Sequence, residues 1–550
     1  MVKLKCFVLA LVLLTGCSNT HIPVDILKNE DVAVEEISTE NEVKAPGQIL
    51  NELESEFYKE DEGSEEVKSE LVEQEKVEPV ETVVEEVKNE VVEVKPEKKQ
   101  EVQEKKITQT REQRAVERFV NLEMLQYSNI GISIVDLQKG KQVASYNEKR
   151  AVTPASIMKV ITSSTAIQKL GADTKLETKL LYDGKIDPKG ILIGDIYIIG
   201  GGDPTLGSDG VKIDRMAFLN DWIAKIKSAG IKGVKGDIIV IDNLFGYVGV
   251  EEKWLLEDFG TSYGQGVYGI SVFDNLYTLT LNSGEKSVEI LEVKPKIPGL
   301  KFENRLKISP KGRRNFSVRG LPLENKRVLT GEVPKNSKIV VQSDIPNPGL
   351  FLGEYLKSNL NSANIKVNGK VKTARDTSKR AKNPKILAVT KSAPIKEMVR
   401  TLLKRSDNHY TEHLFQLLKL QDINIEEFWK EKGIDTKVLN MDDGSGLSRG
   451  DYVSAELLTG IVTYMYQNYP AYIKLLPRGG YEGTVHDFLD PKKFDGEVRI
   501  KSGSMGGIQS YTGYIKKDGR EYAFTIIVNH WNGRRRKLKN EMEKLLIDLF

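Results

Sequence analysis

Apolar residues are distributed along this chain in three ways, and each predicts a different physical state. At the N-terminus they run unbroken through CFVLALVLL (residues 6–14), behind Lys3 and Lys5 and ahead of the small residues of LTGC. A charged head, a short apolar core and a small-residue end predict an export signal, too short for an ordinary membrane span. Between about residue 19 and 112, valines are scattered among Glu and Lys, as in VEPVETVVEEVKNEVVEVKPEKK, with few aromatics. Such a segment buries too little apolar surface to offset its ordering entropy, and it lacks sustained heptads. It predicts a disordered tether, not a coiled coil.

From about residue 113 the pattern becomes periodic. REQRAVERFVNLEML (111–125) repeats at helical spacing, IGISIVDL alternates as a strand does, QKGK turns the chain and QVASYN returns it. ASIMKVITSSTAIQKL predicts a helix stopped at Gly171. Strand-like runs punctuated by YDGK, IGGGDP, NSGEK, IPNPG and VNGKV then fill about 181–384 and predict inserted β-rich material. APIKEMVRTLLKRSDNHYTEHLFQLLKL is helical on both sides of Ser406-Asp407-Asn408. The end, EVRIKSGSM, SYTGYIKKDG and REYAFTIIVNH, predicts antiparallel strands with a Lys-Asp-Gly hairpin turn and a last amphipathic helix. The expected organisation is a signal (1–16), a tether (17–112), a folded domain in two parts (113–180 and 385–550) and an insert (181–384). The fold class is α+β.

Charge sharpens this division. The formal net charge of +2 hides a tether in which residues 31–100 hold 23 acidic side chains against 8 basic ones, so the rest of the chain is strongly basic. A basic body suits an anionic substrate or a negatively charged envelope, although an ordinary lysine-rich surface has the same composition. A coil of about 90 residues has a root-mean-square span of roughly 50 to 60 Å, and its self-repulsion extends it further. Cysteine is confined to Cys6 and Cys17, which excludes a disulfide or thiolate metal site from the mature body. Leu14-Thr15-Gly16-Cys17 resembles the bacterial lipobox, and that resemblance implies a lipidated Cys17 and a membrane held through its lipid.

The candidate chemistry begins in TPASIMKV (153–160), where Ser156 and Lys159 stand three apart. Pro154 suits a helix start, and residues three apart share a face. A serine hydroxyl needs a base to take its proton. A lysine can be that base when burial and the positive end of a helix disfavour its ammonium form. Ser-x-x-Lys alone is common on helix surfaces. Here Ser406-Asp407-Asn408 and Lys501-Ser502-Gly503 follow in order, which resembles the active-site serine penicillin-recognising enzymes with their S-x-x-K, S-x-N and K-T-G motifs.

The 250-residue gap from Ser156 to Ser406, together with GGGDPTL (200–206), MDDGSGLSRGD (441–451) and LPRGGYEGTV (476–485), narrows the resemblance. It points to the D-alanyl-D-alanine carboxypeptidase/endopeptidases of the type-4, low-molecular-mass class C penicillin-binding proteins, from about residue 115 onward. The resemblance implies a penicillin-binding transpeptidase-like fold, with an antiparallel five-stranded sheet flanked by helices and a large β-rich insert. It implies Ser156 as acylated nucleophile, Lys159 as general base, Ser406 as proton relay and Asn408 holding the peptide amide or the lysine. Lys501 would face the substrate carboxylate with Ser502, Gly503 would let substrate backbone lie close, and the N–H groups of Ser156 and Ser504 would form an oxyanion hole. Asp443 and Arg449 are candidates for shaping the substrate cleft or for a structural ion pair. Ser502 replaces the usual threonine but keeps the hydroxyl. No Glu-x-x-Leu-Asn element follows Ser406, so a β-lactam acyl-enzyme is expected to persist.

Other motifs carry less. GTSYG (260–264) matches a nucleophile elbow in letters, but LLEDF precedes it where an apolar strand is required. His409 and His413 have metal-pair spacing without an evident third ligand and read as packing or surface residues. GGGDPTL lacks the Lys-Ser/Thr of a phosphate loop and reads as a tight turn. The chain is therefore expected to be a serine D,D-peptidase of peptidoglycan stem peptides, inhibited covalently by β-lactams, with no cofactor, no metal and no nucleic acid. A transpeptidase, a β-lactamase-like esterase or a weakly catalytic wall-binding lipoprotein are the alternatives. The expected location is the cell envelope, and Ser18 after Cys17 favours an outer membrane.

Overall fold

The computed structural model describes residues 109–550. The export signal, Cys17 and the tether up to residue 108 lie outside the described residues. Helix α1 (Arg111–Val120) starts where Thr110 accepts a hydrogen bond from the Gln113 amide, and it buries Ala115, Val116 and Phe119 at helical spacing. Strands β1 (Asn129–Asp136) and β2 (Lys141–Tyr146) follow, then α2 (Met158–Lys169).

The strand-rich middle contains β3 (Glu177–Ile186), β4 (Ile191–Ile199), α3 (Ala217–Ser228), β5 (Gly233–Val234) and β6 (Ile238–Ile241). It continues with β7 (Leu276–Ser283), β8 (Val288–Lys294), β9 (Lys301–Ile308), β10 (Asn315–Arg319), β11 (Lys326–Val333) and β12 (Ser337–Asp344). Helix α4 (Pro348–Ser362), β13 (Lys366–Val367), β14 (Val371–Thr373) and β15 (Lys385–Lys391) complete it. A seven-stranded mixed sheet runs β13-β5-β4-β3-β15, with β6 beside β4 and β14 beside β6; β10-β11-β9 and β12-β7-β8 form two smaller sheets. Helices α3 and α4 do not stand out from the turn signals of this region. They pack through Leu219, Trp222, Ile226, Phe351, Leu352 and Leu356 into one core with the sheets.

Helices α5 (Ile395–Arg405), α6 (Asn408–Leu420), α7 (Ile425–Lys430) and α8 (Ala455–Asn468) lead to β16 (Glu497–Met505), β17 (Ile508–Lys517), β18 (Arg520–Asn529) and α9 (Arg535–Ile547). The early hairpin and the late strands form one antiparallel sheet, β16-β17-β18-β1-β2, with Asn129 opposite Asn529 and Asp136 opposite Tyr522. Strand β1 is buried along nearly its whole length because both faces of this sheet are covered. Ile130, Ile132 and Ile134 pack with Phe119, Leu538 and Met542 on the α1 and α9 side. On the other side Tyr514, Ala523 and Ile527 join α2, α5, α6 and α8. The protein is α+β.

The strand-rich middle meets the helical layer at the first turns of α6. Asn408 donates to the Tyr263 carbonyl at 2.8 Å, and Tyr410 and Ser208 hydroxyls lie 2.6 Å apart. Between them the Ser271 hydroxyl contacts Nε2 of His409 at 3.0 Å and of His413 at 2.9 Å. Both rings are fully buried, so the histidines are packing residues; among the described residues no cluster of three or more His, Cys, Asp or Glu is arranged to hold a metal ion. Burial pushes His413 down to about 4, and His409 lies well below its usual value for the same reason. Above pH 6.5 neither the folded nor the unfolded chain protonates these rings, and their contribution is complete. Between pH 6.5 and 4 only the unfolded chain binds the protons, so stability falls with falling pH. Urea unfolding should lose about 3 kcal/mol through His413 alone between pH 7 and pH 4, and His413→Gln should flatten that dependence.

Candidate active site

Ser156 stands in a tight turn, Ala155–Ile157, that leads directly into α2. Where a regular first helical turn is expected, the turn is 3-10, and Ala155 adopts a left-handed backbone with φ of +52°. Gly446 makes room for it, since a Cβ there would lie 2.1 Å from the Ala155 carbonyl oxygen. The turn leaves the Ser156 hydroxyl partly accessible while the rest of the helix start is buried.

Lys159, one turn on, is fully buried. Its Nζ lies 2.6 Å from Asn408 Oδ1, 2.7 Å from the Ser445 carbonyl and 3.1 Å from Ser156 Oγ. The Asn408 amide donates from its other end to the Tyr263 carbonyl at 2.8 Å, which fixes the oxygen toward the lysine. Two of the three partners are oxygens that only accept. A neutral amine donates to those two and keeps one lone pair, which faces the Ser156 hydroxyl. Burial pushes Lys159 down to about 8, against the opposing pull of Asp443, Glu412, Asp407 and Asp451.

The Ser-Asp-Asn triplet joins two helices. Ser406 ends α5 in a left-handed conformation with φ of +58°, Asp407 caps α6 by accepting from the Tyr410 amide at 3.0 Å, and Asn408 is the first residue of α6. The sharp reversal turns the Ser406 hydroxyl to Lys501, whose Nζ donates to it at 2.8 Å and to the Ser502 carbonyl at 2.6 Å. Lys501 is buried on the edge strand β16, and burial, followed by repulsion from Lys159, holds its amine well below the usual lysine range.

Strand β16 runs against the Ser156 turn. A Cβ at Gly503 would lie 2.3 Å from Ser510 Oγ, 2.6 Å from the Pro154 carbonyl and 3.0 Å from the Ile157 nitrogen. Only glycine permits this approach. Ser510 in turn donates to the Pro154 carbonyl at 2.6 Å, stapling β17 to the turn. Ser502 shares a hydrogen bond of 2.7 Å with Thr484, and Arg535 donates to Ser504 Oγ at 2.6 Å. The three motifs therefore meet around one turn.

Asp443 does not reach this cleft. It is fully buried, and its oxygens accept from the amides of Ser445, Gly446, Leu447 and Ser448 and from the Trp254 indole, at 2.6 to 3.1 Å. Its place is inside the loop that presents the Ser445 carbonyl. Arg449 is exposed and donates to the Gly506 carbonyl at 3.1 Å, at the β16–β17 turn, so it forms no pair with Asp443. GTSYG is an irregular loop with no strand before it. It enters the site through the Tyr263 carbonyl, a main-chain contact that no side-chain motif reveals. GGGDPTL holds a turn in which buried Asp203 accepts from Thr205.

A profile of the D-Ala-D-Ala carboxypeptidase 3 (S13) family matches residues 112–549. The chain belongs to this family. The chain is similar to the D-alanyl-D-alanine carboxypeptidase of Actinomadura sp. (strain R39), 25% identical over 435 residues, covering 73% of this chain and 78% of the relative. D-alanyl-D-alanine carboxypeptidase DacB of Haemophilus influenzae is 22% identical over 426 residues, 74% of this chain and 86% of the relative. The crystal structure of penicillin binding protein 4 from Haemophilus influenzae superposes with a TM-score of 0.69 at 21% identity, covering 79% of this chain and 98% of that one. The S13 chain thus has the penicillin-binding protein fold, and it is a serine-type D-Ala-D-Ala carboxypeptidase, a hydrolase of the bacterial cell wall.

With Lys159 titrating near 8, the fraction of free amine rises about tenfold between pH 7 and pH 9, because a base must first lose its own proton. The rate of acylation by a fluorescent penicillin should rise with it, and a flat or falling profile would exclude Lys159 as the base. Gly503→Ala should slow acylation at least about tenfold while leaving the thermal transition sharp, since the added methyl displaces the Ser156 turn against β16.

Proposed function

We propose that Ser156 attacks the carbonyl carbon of the bond between two D-alanines of a peptidoglycan stem, its proton passing to the Lys159 amine. The best support is the saturated donor set of Lys159, which leaves its single lone pair for Ser156. The tetrahedral oxyanion rests on the N–H groups of Ser156 and Ser504. As it collapses, the C–N bond breaks and the proton that Lys159 took passes through the Ser406 hydroxyl to the leaving amine, which returns Lys159 to its free form; Ser406 is held 2.8 Å from Lys501. Lys501 regains its charge when the substrate's terminal carboxylate arrives to pair with it, and Ser502 adds a hydrogen bond. Asn408 holds Lys159 in place. Water then attacks the Ser156 ester, with Lys159 again the base, and releases the shortened stem.

Terminal D-Ala and D,D cross-links both present a D-alanine carbonyl, with D-alanine or the neighbouring stem as the leaving amine, so the enzyme acts as carboxypeptidase and endopeptidase. A β-lactam opens on Ser156 in the same way, and with no glutamate in the class A deacylating position its ester persists. We place the catalytic domain at 113–180 and 385–550, with 181–384 as an insert whose seven-stranded sheet takes in β3 and β15 across those two bounds, and anchor the chain through lipidated Cys17 in the outer membrane. The acidic tether carries the body toward the wall.

Purified muropeptides, monomeric and cross-linked, should lose D-Ala and separate into monomers when analysed by mass spectrometry. Ser156→Ala should lower both activities by roughly 10³-fold or more and abolish covalent penicillin labelling. New dimers in place of trimmed monomers would identify a transpeptidase; equal labelling of Ser156→Ala would overturn the mechanism.

A further inference from the structure

Serine at position 502 differs from the threonine of the K-T-G pattern in one physical respect. A β-branched side chain is stiff at χ1, whereas serine turns among three staggered wells. A serine hydroxyl that must point at a ligand therefore needs an outside contact to hold it. Ser502 is buried on β16, and among the described residues its hydroxyl has one side-chain partner, the Thr484 hydroxyl at 2.7 Å.

Thr484 is itself fixed from both sides. It lies in the short turn Gly483–Val485. Gly483 takes a left-handed backbone with φ of +51°, and a Cβ there would lie 2.0 Å from the carbonyl oxygen of Lys404, two residues before Ser406. Glu482 pairs with Lys404 at 3.2 Å and accepts from the Arg478 amide at 2.9 Å. Val485 is fully buried in one core with Val498 and Ile500 of β16. The turn is thus pinned to the end of α5 and to β16, the two elements that bring Ser406 and Lys501 together. None of these contacts uses the Thr484 hydroxyl, which is directed to Ser502.

We infer that Thr484 is a positioning residue: it donates to the Ser502 oxygen, fixes the Ser502 rotamer and leaves the Ser502 proton for the terminal carboxylate of the ligand. The direction follows from the partners. A carboxylate only accepts, so Ser502 must donate to it, and Thr484 is then the donor of the pair. A hydroxyl that accepts one hydrogen bond is polarised to donate the next more strongly. Thr484 thereby supplies from a neighbouring turn the rotamer control that threonine supplies through its own methyl group. This role rests on the proposed contact between Ser502 and the carboxylate.

The test compares acylation of the full chain by benzylpenicillin and by benzylpenicillin methyl ester, which lacks the charged carboxylate. The readout is the ratio of the two second-order rate constants, because a general disturbance of the site slows both reagents and leaves the ratio unchanged. Thr484→Val, isosteric at an exposed position, should lower the ratio about tenfold, the contribution of one hydrogen bond to a charged group. Thr484→Ser should keep the wild-type ratio. Adding Ser502→Thr to Thr484→Val should restore it, because the branched side chain holds its own rotamer. An unchanged ratio in Thr484→Val, a Thr484→Ser ratio as low as that of Thr484→Val, or a double variant that regains nothing would overturn the role of Thr484. If Ser502→Ala lowers the ratio in the same experiments, the Ser502 contact stands whatever Thr484 does. An unchanged ratio in Ser502→Ala would overturn that contact, and the role of Thr484 with it.

Discussion

The structure depends on keeping one primary amine dry and fully engaged. Lys159 sits at the centre of the helical layer, and each of its three partners comes from a different part of the chain: Ser156 from its own turn, Asn408 from the start of α6 and Ser445 from the loop before α8. Removing such a group from water disfavours its charge by several kcal/mol. Buried carboxyls offset part of that cost, and the balance leaves an amine that exchanges its proton near neutral pH. Losing any one partner would free a donor to turn away from Ser156. The loop around Asp443 and the turn at Ala155 are shaped by this requirement, since each places a carbonyl or hydroxyl that the amine needs.

Helix α6 is where this requirement meets the strand-rich middle. Asp407 caps it, Asn408 points to Lys159 and Tyr263, Tyr410 reaches Ser208, Glu412 faces the Gly444 amide, and His409 and His413 share Ser271. A helix offers several faces within one turn, and here one face serves the amine while the adjacent one holds the strand-rich middle. The strand-rich middle is therefore coupled to the Lys159 site by rigid neighbours on one element. This explains why both histidines are buried and neutral: an imidazolium at that junction would have no anionic partner among the groups it touches.

Much of this was legible in the sequence because the motifs are local. Ser156 and Lys159 share a helical face by spacing alone, the Ser-Asp-Asn triplet marks a helix break, and Lys501 falls in an alternating strand beside a glycine. The fold was implied by the resemblance those motifs carry, and the hairpin and strand patterns at the two ends agree with it. What was not legible is main-chain chemistry and long-range pairing. The Ser445 and Tyr263 carbonyls carry no side-chain signature, and the pairing of β1 with β18 joins residues about 390 positions apart. Helices α3 and α4 were hidden because glycine, proline and asparagine around them read as turns, while their apolar residues are satisfied only by the tertiary core. Asp443 looked like a cleft residue by its place in a motif, yet four consecutive amides hold it inside its loop.

In the proposed mechanism the second amine gives the site its selectivity. Among the described residues Lys501 has only neutral oxygens as hydrogen-bond partners, and Lys159 repels its charge. Burying an ammonium without an anion is unfavourable, so the empty site disfavours the charged form of both lysines. In the proposed mechanism a substrate ending in a carboxylate changes this, because it brings the missing anion to Lys501 and restores its proton there. The charge on Lys501 then raises the cost of protonating Lys159, which favours the free amine at the moment the hydroxyl is needed. A ligand without that carboxylate leaves Lys501 neutral and gains neither effect. In that mechanism, preference for a free C-terminal acid or its β-lactam counterpart follows from two buried lysines that cannot comfortably be charged together until an anion arrives.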